Sequence, residues 1–528
     1  MPDLVLGPLL RHVDAVSATV WVETDAPCDV AVAGRVSPTF TVAGHHYALV
    51  VLDGLEPGSV TSYDVRLDGV TRWPREGADA PSVRTLGRQD ELHLVFGSCR
   101  MPESRDPAES ASWGTDALAA YAARLTGGGE RPDLLVLLGD QVYADETSKA
   151  TGEWIAARRD VSVPPGKEVA GYAEYARLYH ESWATPAIRY LLSTVPTAMI
   201  FDDHDVRDDW NTSLAWREAI EATAWWAERE EAALVSYWVY QHLGNLSPAE
   251  LAADDTVKAV MHAGRDGGDA HGVLREFARA AIREADGAKG TRWSYRRDLG
   301  RTRLIMTDTR SGRILREGRA MVGDGEFAWL EANAEGDVDH LLIGSSLPWL
   351  LPHVIDRVQA MNEAACRRPG WRGRFAERLR QAADLEHWAA FRASSERLAR
   401  LIRGAAERGA ATVSVLSGDV HHGYVAEAFF DRPVGARVFQ LVCSPLHNRV
   451  PRWLRPFFRA GWWHPLAAAL WRWRSSVRWR RLAGPYFGNM VATLRISGRR
   501  AEVTVELAGS GPVLRPLPAV SMSAPPPP

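Results

Sequence analysis

A chain of 528 residues is longer than one hydrophobic core ordinarily serves, so a large domain with at least one accessory unit is expected. With 46% hydrophobic and 24% charged residues the composition is that of a soluble globular protein, and a net charge of −4 gives no overall basis for binding nucleic acid. Four cysteines, Cys28, Cys99, Cys366 and Cys443, include no CxxC pair and make no disulfide framework.

The opening "MPDLVLGPLLRHVDAV" has no basic region followed by a long apolar run and no twin arginine, so no secretory signal is read and a cytoplasmic location is expected. No uninterrupted apolar run approaches the ~20 residues of a spanning helix. Residues 1–88 are expected to form a β-sandwich. "SATVWVETD" alternates, and "CDVAVAG" and "TSYDVRLDG" are short strands closed by turn residues. "LDGLEPGSVTSYDVRL" is similar to a phrase of fibronectin-type domains, with Tyr63 where a corner tyrosine would stand.

From residue 90 the pattern changes to βαβ: "ELHLVFGSC", a helix around "ALAAYAARL", then "PDLLVLLGD". Helices are expected over 170–192 and 214–243, the first as a hairpin covering the sheet. "TRLIMTDTR", "DHLLIGSSLPW" and "ATVSVLSGDVHHGY" are further strands followed by polar loops. The unit is expected to run over 90–450. A Trp/Arg-rich insertion (451–484), closing strands (485–515, with a hairpin in "NMVATLRISGRRAEVTVEL") and a disordered tail (516–528) should follow.

Five buried strands end in polar clusters: Cys99 and Arg100; Asp140, Tyr143 and Asp145; Asp202, Asp203, His204 and Asp205; Ser345 and Ser346; Asp419, His421 and His422. Covered sheets would bring these ends to one edge. Carboxylates, thiolate, phenolate and imidazole crowded there would repel or stay unpaired without cations, and two metal ions suit this many ligands.

The set "FGSCR … LLGDQVYAD … FDDHDVRDDW … SGDVHHGY" resembles the metallophosphatase domain of the PhoD-like (alkaline phosphatase D) family, relatives of purple acid and calcineurin-like phosphatases, over about 90–445. The resemblance implies a four-layer α/β/β/α sandwich with a dinuclear site at the strand ends. It implies Cys99, Asp140, Tyr143, Asp203, Asp419 and His421 as metal ligands, with Asp140 bridging. It implies His204 as the acid facing the leaving group. Asp202 and Asp205 are read as carboxylates that orient that histidine, and Arg100, Arg207 and Arg310 as candidate phosphate clamps, since arginine's planar fork suits bidentate contact. Thiolate and phenolate donors favour Fe³⁺, and carboxylates favour Ca²⁺ at the second position, with Mn²⁺, Mg²⁺ or Zn²⁺ as alternatives. The implied activity is hydrolysis of phosphate mono- or diesters by metal-bound hydroxide. The alternatives are a membrane-associated phospholipase D-like or polymer phosphodiesterase, and a metal-stabilised binding module without turnover. The chain departs from the family pattern at Asp205, where many relatives have Glu, and at Asp208 and Asp209, where asparagines are common.

Residues 452–482 carry eight arginines, six tryptophans and no acid. Three readings stand open: amphipathic helices packed on the domain, peripheral contact with an anionic membrane, and a lid. No nucleic-acid-binding domain is recognised.

Overall fold

The computed structural model describes residues 1–75, 77, 79–87, 91–104, 106–265, 267–287, 290–316, 318–463 and 476–523. The first unit is built on two four-stranded sheets. Leu4–Val13, Ser17–Thr24, His45–Asp53 and Phe40–Val42 form one; Arg35–Pro38, Asp29–Val32, Val65–Leu67 and Val70–Trp73 form the other. Val20, Val22, Val30, Val50, Leu52 and Leu67 fill the space between them.

The alternation of "SATVWVET" predicts one apolar face and one wet face, yet all eight residues are buried. The second face packs on the large unit. Trp21 meets Tyr240 with ring centroids 5.3 Å apart. Glu23 takes His45 Nδ1 at 2.9 Å, His180 Nε2 at 2.8 Å and the Tyr240 hydroxyl at 2.9 Å. Tyr63 is not a corner tyrosine of its own sandwich, because its hydroxyl donates to the carbonyl of Ser193 in the large unit.

The large unit centres on two seven-stranded sheets. In the first, Glu91–Gly97, Leu134–Leu138 and Thr197–Ile200 run parallel, and the antiparallel hairpin Met490–Ser497/Arg500–Ala508 extends them. In the second, Thr302–Thr307, His340–Ser345, Thr412–Ser417 and Arg437–Val442 run parallel. Successive residues of these strands serve different layers. Leu342 and Leu416 join the cluster built on the first sheet, with Leu94 and Leu137, whereas Leu341, Ile343, Val413 and Val415 face the outer helices with Phe327, Leu398 and Ile402. Helices Ala117–Thr126 and Pro186–Thr194 cover the first sheet. The layering is α/β/β/α. It explains why the strands read as continuous apolar runs, since both faces of each sheet are covered. The expected helical hairpin is present as Tyr172–Trp183 and Pro186–Thr194.

Two readings near the C-terminus differ from the structure. The end of the Trp/Arg stretch is a strand, Val477–Tyr486, paired antiparallel with Gly423–Phe430. Its Val477, Arg478, Trp479 and Arg480 alternate buried and exposed, the two-residue period of a sheet rather than a helical one. Residues 464–475 of that stretch and 524–528 of the tail lie outside the described residues. The start of the tail is ordered, because Val520–Ser521 pairs with Arg500–Ala508 and Met522 is fully buried.

Glu23→Gln is expected to cost about 3 kcal/mol at neutral pH, read as a lowered melting temperature, because it leaves two histidines facing an uncharged buried partner. Burial pushes the Glu23 carboxyl up, and His180 and His45 outweigh it, so the group is held below its ordinary range. Its contribution is full above about pH 4.3 and fades as the pH falls through the lower folded value. The gap between wild type and variant should therefore narrow on acidification.

Candidate metal centre

Seven parallel strands, three from the first sheet and four from the second, end at one edge, and the chain turns sharply there. Cys99, Asp140, Asp419 and His421 adopt φ of 58°, 50°, 63° and 49°. Left-handed backbone at a non-glycine residue costs on the order of 1–3 kcal/mol and persists only where surrounding bonds impose it. Here the loops brace one another. Cys99 N donates to Gly139 O at 3.2 Å, Arg100 N to Asp140 O at 3.0 Å, and Gly418 N to Ser346 O at 2.9 Å. Gly139 lies at φ 103°, and a Cβ there would stand 2.5 Å from Asp202 Cβ, so "GD" is required at this strand end.

The turns gather three groups of donor atoms, each within 4.8 Å: Cys99, Asp140 and His421; Asp140, Asp203 and His204; Asp202, Asp203 and Asp419. Asp140 is common to the first two and Asp203 to the last two. Asp140 Oδ1 and Asp202 Oδ2 are buried without a hydrogen-bond partner. Burial, with Asp202, Asp203 and Asp205 adding to it against His204, pushes the Asp140 carboxyl well up. Burial together with Asp140 and Asp419 raises the Cys99 thiol, and burial together with Cys99 and Asp140 raises the Tyr143 phenol. A buried set of anionic donors that oppose one another's ionisation, with orphaned oxygens aimed inward, is what cations stabilise. These residues fit a metal cofactor. Cys99 Sγ also lies 3.1 Å from both Ser98 Oγ and Ser444 Oγ. Tyr143 Oη accepts from Asn448 Nδ2 at 3.2 Å, and its ring lies 4.7 Å from that of His204.

Other expected residues take different places. His204 Nδ1 is held by Asp145, at 3.0 and 3.1 Å from its two oxygens, rather than by Asp202 or Asp205. The Asp205 carboxylate accepts from the backbone N–H groups of Asp140, Gln141, Val142 and Asp202, so it shapes the strand ends instead of orienting the imidazole. Arg100 is turned away from the edge: its guanidinium is 2.7 Å from Asp116 and donates to Ser182, and it is fully buried. Arg310 is fully buried and inside the cluster, against Asp202, Asp203 at 3.1 Å, Glu386 at 2.5 Å and Asp419 at 3.6 Å. Arg207 pairs with Glu168 at 3.1 Å and keeps 31% of its side chain exposed. Ser345 donates to the carbonyl of Leu347, and Ser346 contacts Thr309 at 2.9 Å, so both are structural. His422 packs against Phe458.

Glu386 and His387 were not foreseen. Glu386 pairs with Arg310 and Arg313. His387 Nε2 is 2.8 Å from Asp419 Oδ2, and the Gln359 amide donates to its Nδ1 at 2.8 Å, so Nε2 carries a proton toward the carboxylate. "ADLEHWAAF" follows a helix and no strand, so the strand-end signal that marks the other residues is missing there.

A mixed α/β/β/α sandwich with a candidate metal site at the strand ends defines a metallophosphatase-type protein. Residues 109–452, more than half of the chain, match the PhoD-like phosphatase family model, and the chain belongs to that family. Residues 1–85 match a domain of unknown function, DUF7800. The solved structure of PhoD is similar over 99% of this chain and 91% of that chain, with a TM-score of 0.61 and 13% identity. The purple acid phosphatase PPD1 from yellow lupin (Lupinus luteus) seeds aligns over 98% of this chain and 74% of that chain, with a TM-score of 0.49 and 12% identity. No curated protein matches the chain significantly.

Asp140→Ala is expected to remove most bound metal, measured by elemental analysis of the purified protein, because Asp140 is common to two donor groups. Gly139→Ala should lower the melting temperature as well, through the clash with Asp202.

Proposed function

We propose that this chain is a phosphoric ester hydrolase, acting on phosphate mono- or diesters with a dinuclear metal site and His204 as its proton donor. The observation that carries this reading is the linked donor set: Asp140 and Asp203 each belong to two neighbouring groups, and His204 stands beside both. Cys99, Asp140, Tyr143 and His421 would hold one ion, and Asp140, Asp203 and Asp419 the other. The anionic thiolate and phenolate would suit the high charge of Fe³⁺ in the first place and the carboxylates Ca²⁺ in the second, with Mn²⁺, Mg²⁺ or Zn²⁺ as alternatives. When bound, such ions supply Lewis-acid charge to the phosphoryl oxygens and acidify a water.

The remaining chemistry belongs to the chain. Asp145 fixes the His204 ring through Nδ1, which leaves Nε2 to protonate the departing oxygen. The Tyr143 ring packs against the imidazole, tilted by 33°, and limits its rotation. Arg310 neutralises carboxylates and has no exposed surface with which to clamp a substrate. Of the three arginines expected to contact phosphate, Arg207 alone reaches solvent, and substrate contact is assigned to it.

Hydrolysis of p-nitrophenyl phosphate and of bis(p-nitrophenyl) phosphate, with metal content measured on the same samples, tests the reading. His204→Ala should lower kcat by roughly 10²–10⁴-fold while metal content stays unchanged. Asp145→Asn should lower kcat less, with KM little altered. Undiminished turnover in His204→Ala would overturn the acid role. A visible charge-transfer band lost in Tyr143→Phe would support Fe³⁺ beside the phenolate.

A further inference from the structure

The helix Trp371–Ala382 presents an unusual outer face. Trp371, Phe375 and Leu379, spaced four residues apart, are 68%, 64% and 44% exposed. At 100° per residue they form one stripe, with Arg374 and Arg378 on one side and Arg372 on the other, all three exposed. The sole acid of this helix, Glu377, is drawn off to Arg380 at 3.0 Å. Arg367 and Arg368 add exposed positive charge at the preceding turn.

This helix packs on His353–Cys366, which adds the exposed Met361 and Val358, and that helix in turn touches Arg455–Gly461. Around the latter, Trp453, Phe457 and Trp463 are 76%, 60% and 60% exposed, interleaved with Arg452, Arg455 and Arg459. Three neighbouring elements therefore share one composition: large apolar side chains in solvent, flanked by arginine. The layer adjoins the candidate metal centre. Gln359 on the middle helix holds His387, which holds Asp419, and Phe458 lies 4.6 Å from the ring of His422.

We infer that this layer is a docking surface for an anionic lipid bilayer, with the aromatic side chains at the level of the headgroups and the arginines against their charge. The pattern is that of helices lying in a membrane interface: an apolar face and a basic collar, with the helix's own acid taken up by Arg380. Charge decides for a bilayer over a second copy of the chain. The chain as a whole is acidic, at −4, yet two copies meeting through this face would set arginine against arginine. Among the described residues no helix is long and apolar enough to cross a membrane, so the attachment is to the surface.

Co-sedimentation of the full chain with phosphatidylcholine vesicles, with and without about 30% phosphatidylglycerol, tests this. Wild type should sediment with the anionic vesicles and stay in solution with the neutral ones. Arg372→Glu/Arg374→Glu/Arg378→Glu should weaken binding to anionic vesicles by about a hundredfold. Trp371→Ser/Phe375→Ser should abolish most of it. Both variants replace exposed side chains, and their hydrolysis of soluble p-nitrophenyl phosphate, together with their melting temperatures, should match wild type. Equal partition to neutral and anionic vesicles, or binding that survives both variants, would overturn the inference. So would a dimer in gel filtration that Trp371→Ser/Phe375→Ser dissolves while vesicles bind nothing.

Discussion

One buried guanidinium holds the candidate centre together. Arg310 stands among Asp202, Asp203, Glu386 and Asp419, and within a fold that buries all four carboxylates it offsets part of a charge that would otherwise force protonation or unfolding. It does not offset all of it. Asp140, Tyr143, Cys99 and Asp209 lie around the same edge, and burial raises every one of them. The arrangement leaves a deficit of positive charge on the side away from Arg310. That deficit lies where the donor atoms of Cys99, Asp140 and His421 converge. The extra acids Asp208 and Asp209 add negative charge beside Asp203.

The accessory β-unit is tied into the same framework. Arg11, fully buried, donates to the carbonyls of Tyr240 and Gln241 at 3.1 and 2.6 Å and to Asn245 Oδ1 at 3.2 Å. Asn245 in turn brackets Met199 through both its amide atoms, at 3.0 and 2.8 Å. Met199 lies on the strand that delivers Asp202 and Asp203. Gly244 permits the approach, since a Cβ there would fall 2.4 Å from Arg11 Nε. The first unit therefore buttresses a strand of the centre from behind, and its own second face is buried in doing so.

Function is divided between two kinds of position. Residues that turn at strand ends carry the candidate ligands, and their strained backbone is imposed by hydrogen bonds between loops. Gln359 on the helix His353–Cys366 and His387 in the segment after Trp371–Ala382 steady one of those ligands from the outside. The same helical layer turns an aromatic and basic face to solvent, which places a surface of distinct chemistry within two side chains of the centre.

The amino-acid sequence by itself determined the parallel strands and the polar residues at their ends, because strands covered on both faces must be continuously apolar and must stop where polarity begins, and the α/β/β/α class came with its family resemblance. It determined Cys99, Asp140, Asp203, Asp419 and His421 as neighbours for the same reason. Tertiary structure alone decided which carboxylate serves which partner. Asp145 rather than Asp205 holds His204, since the loop after Leu134–Leu138 folds back over the histidine while Asp205 is consumed by four backbone N–H groups. It decided that Arg100 faces Asp116 and not the centre, and that Glu386 and His387 enter from a segment with no strand-end signature. It also made Val477–Tyr486 a strand, because the exposed edge of Gly423–Phe430 offers unpaired backbone groups that a helix could not satisfy. Sequence spacing records which residues stand at an edge; the distances between edges are set by how the two sheets face each other.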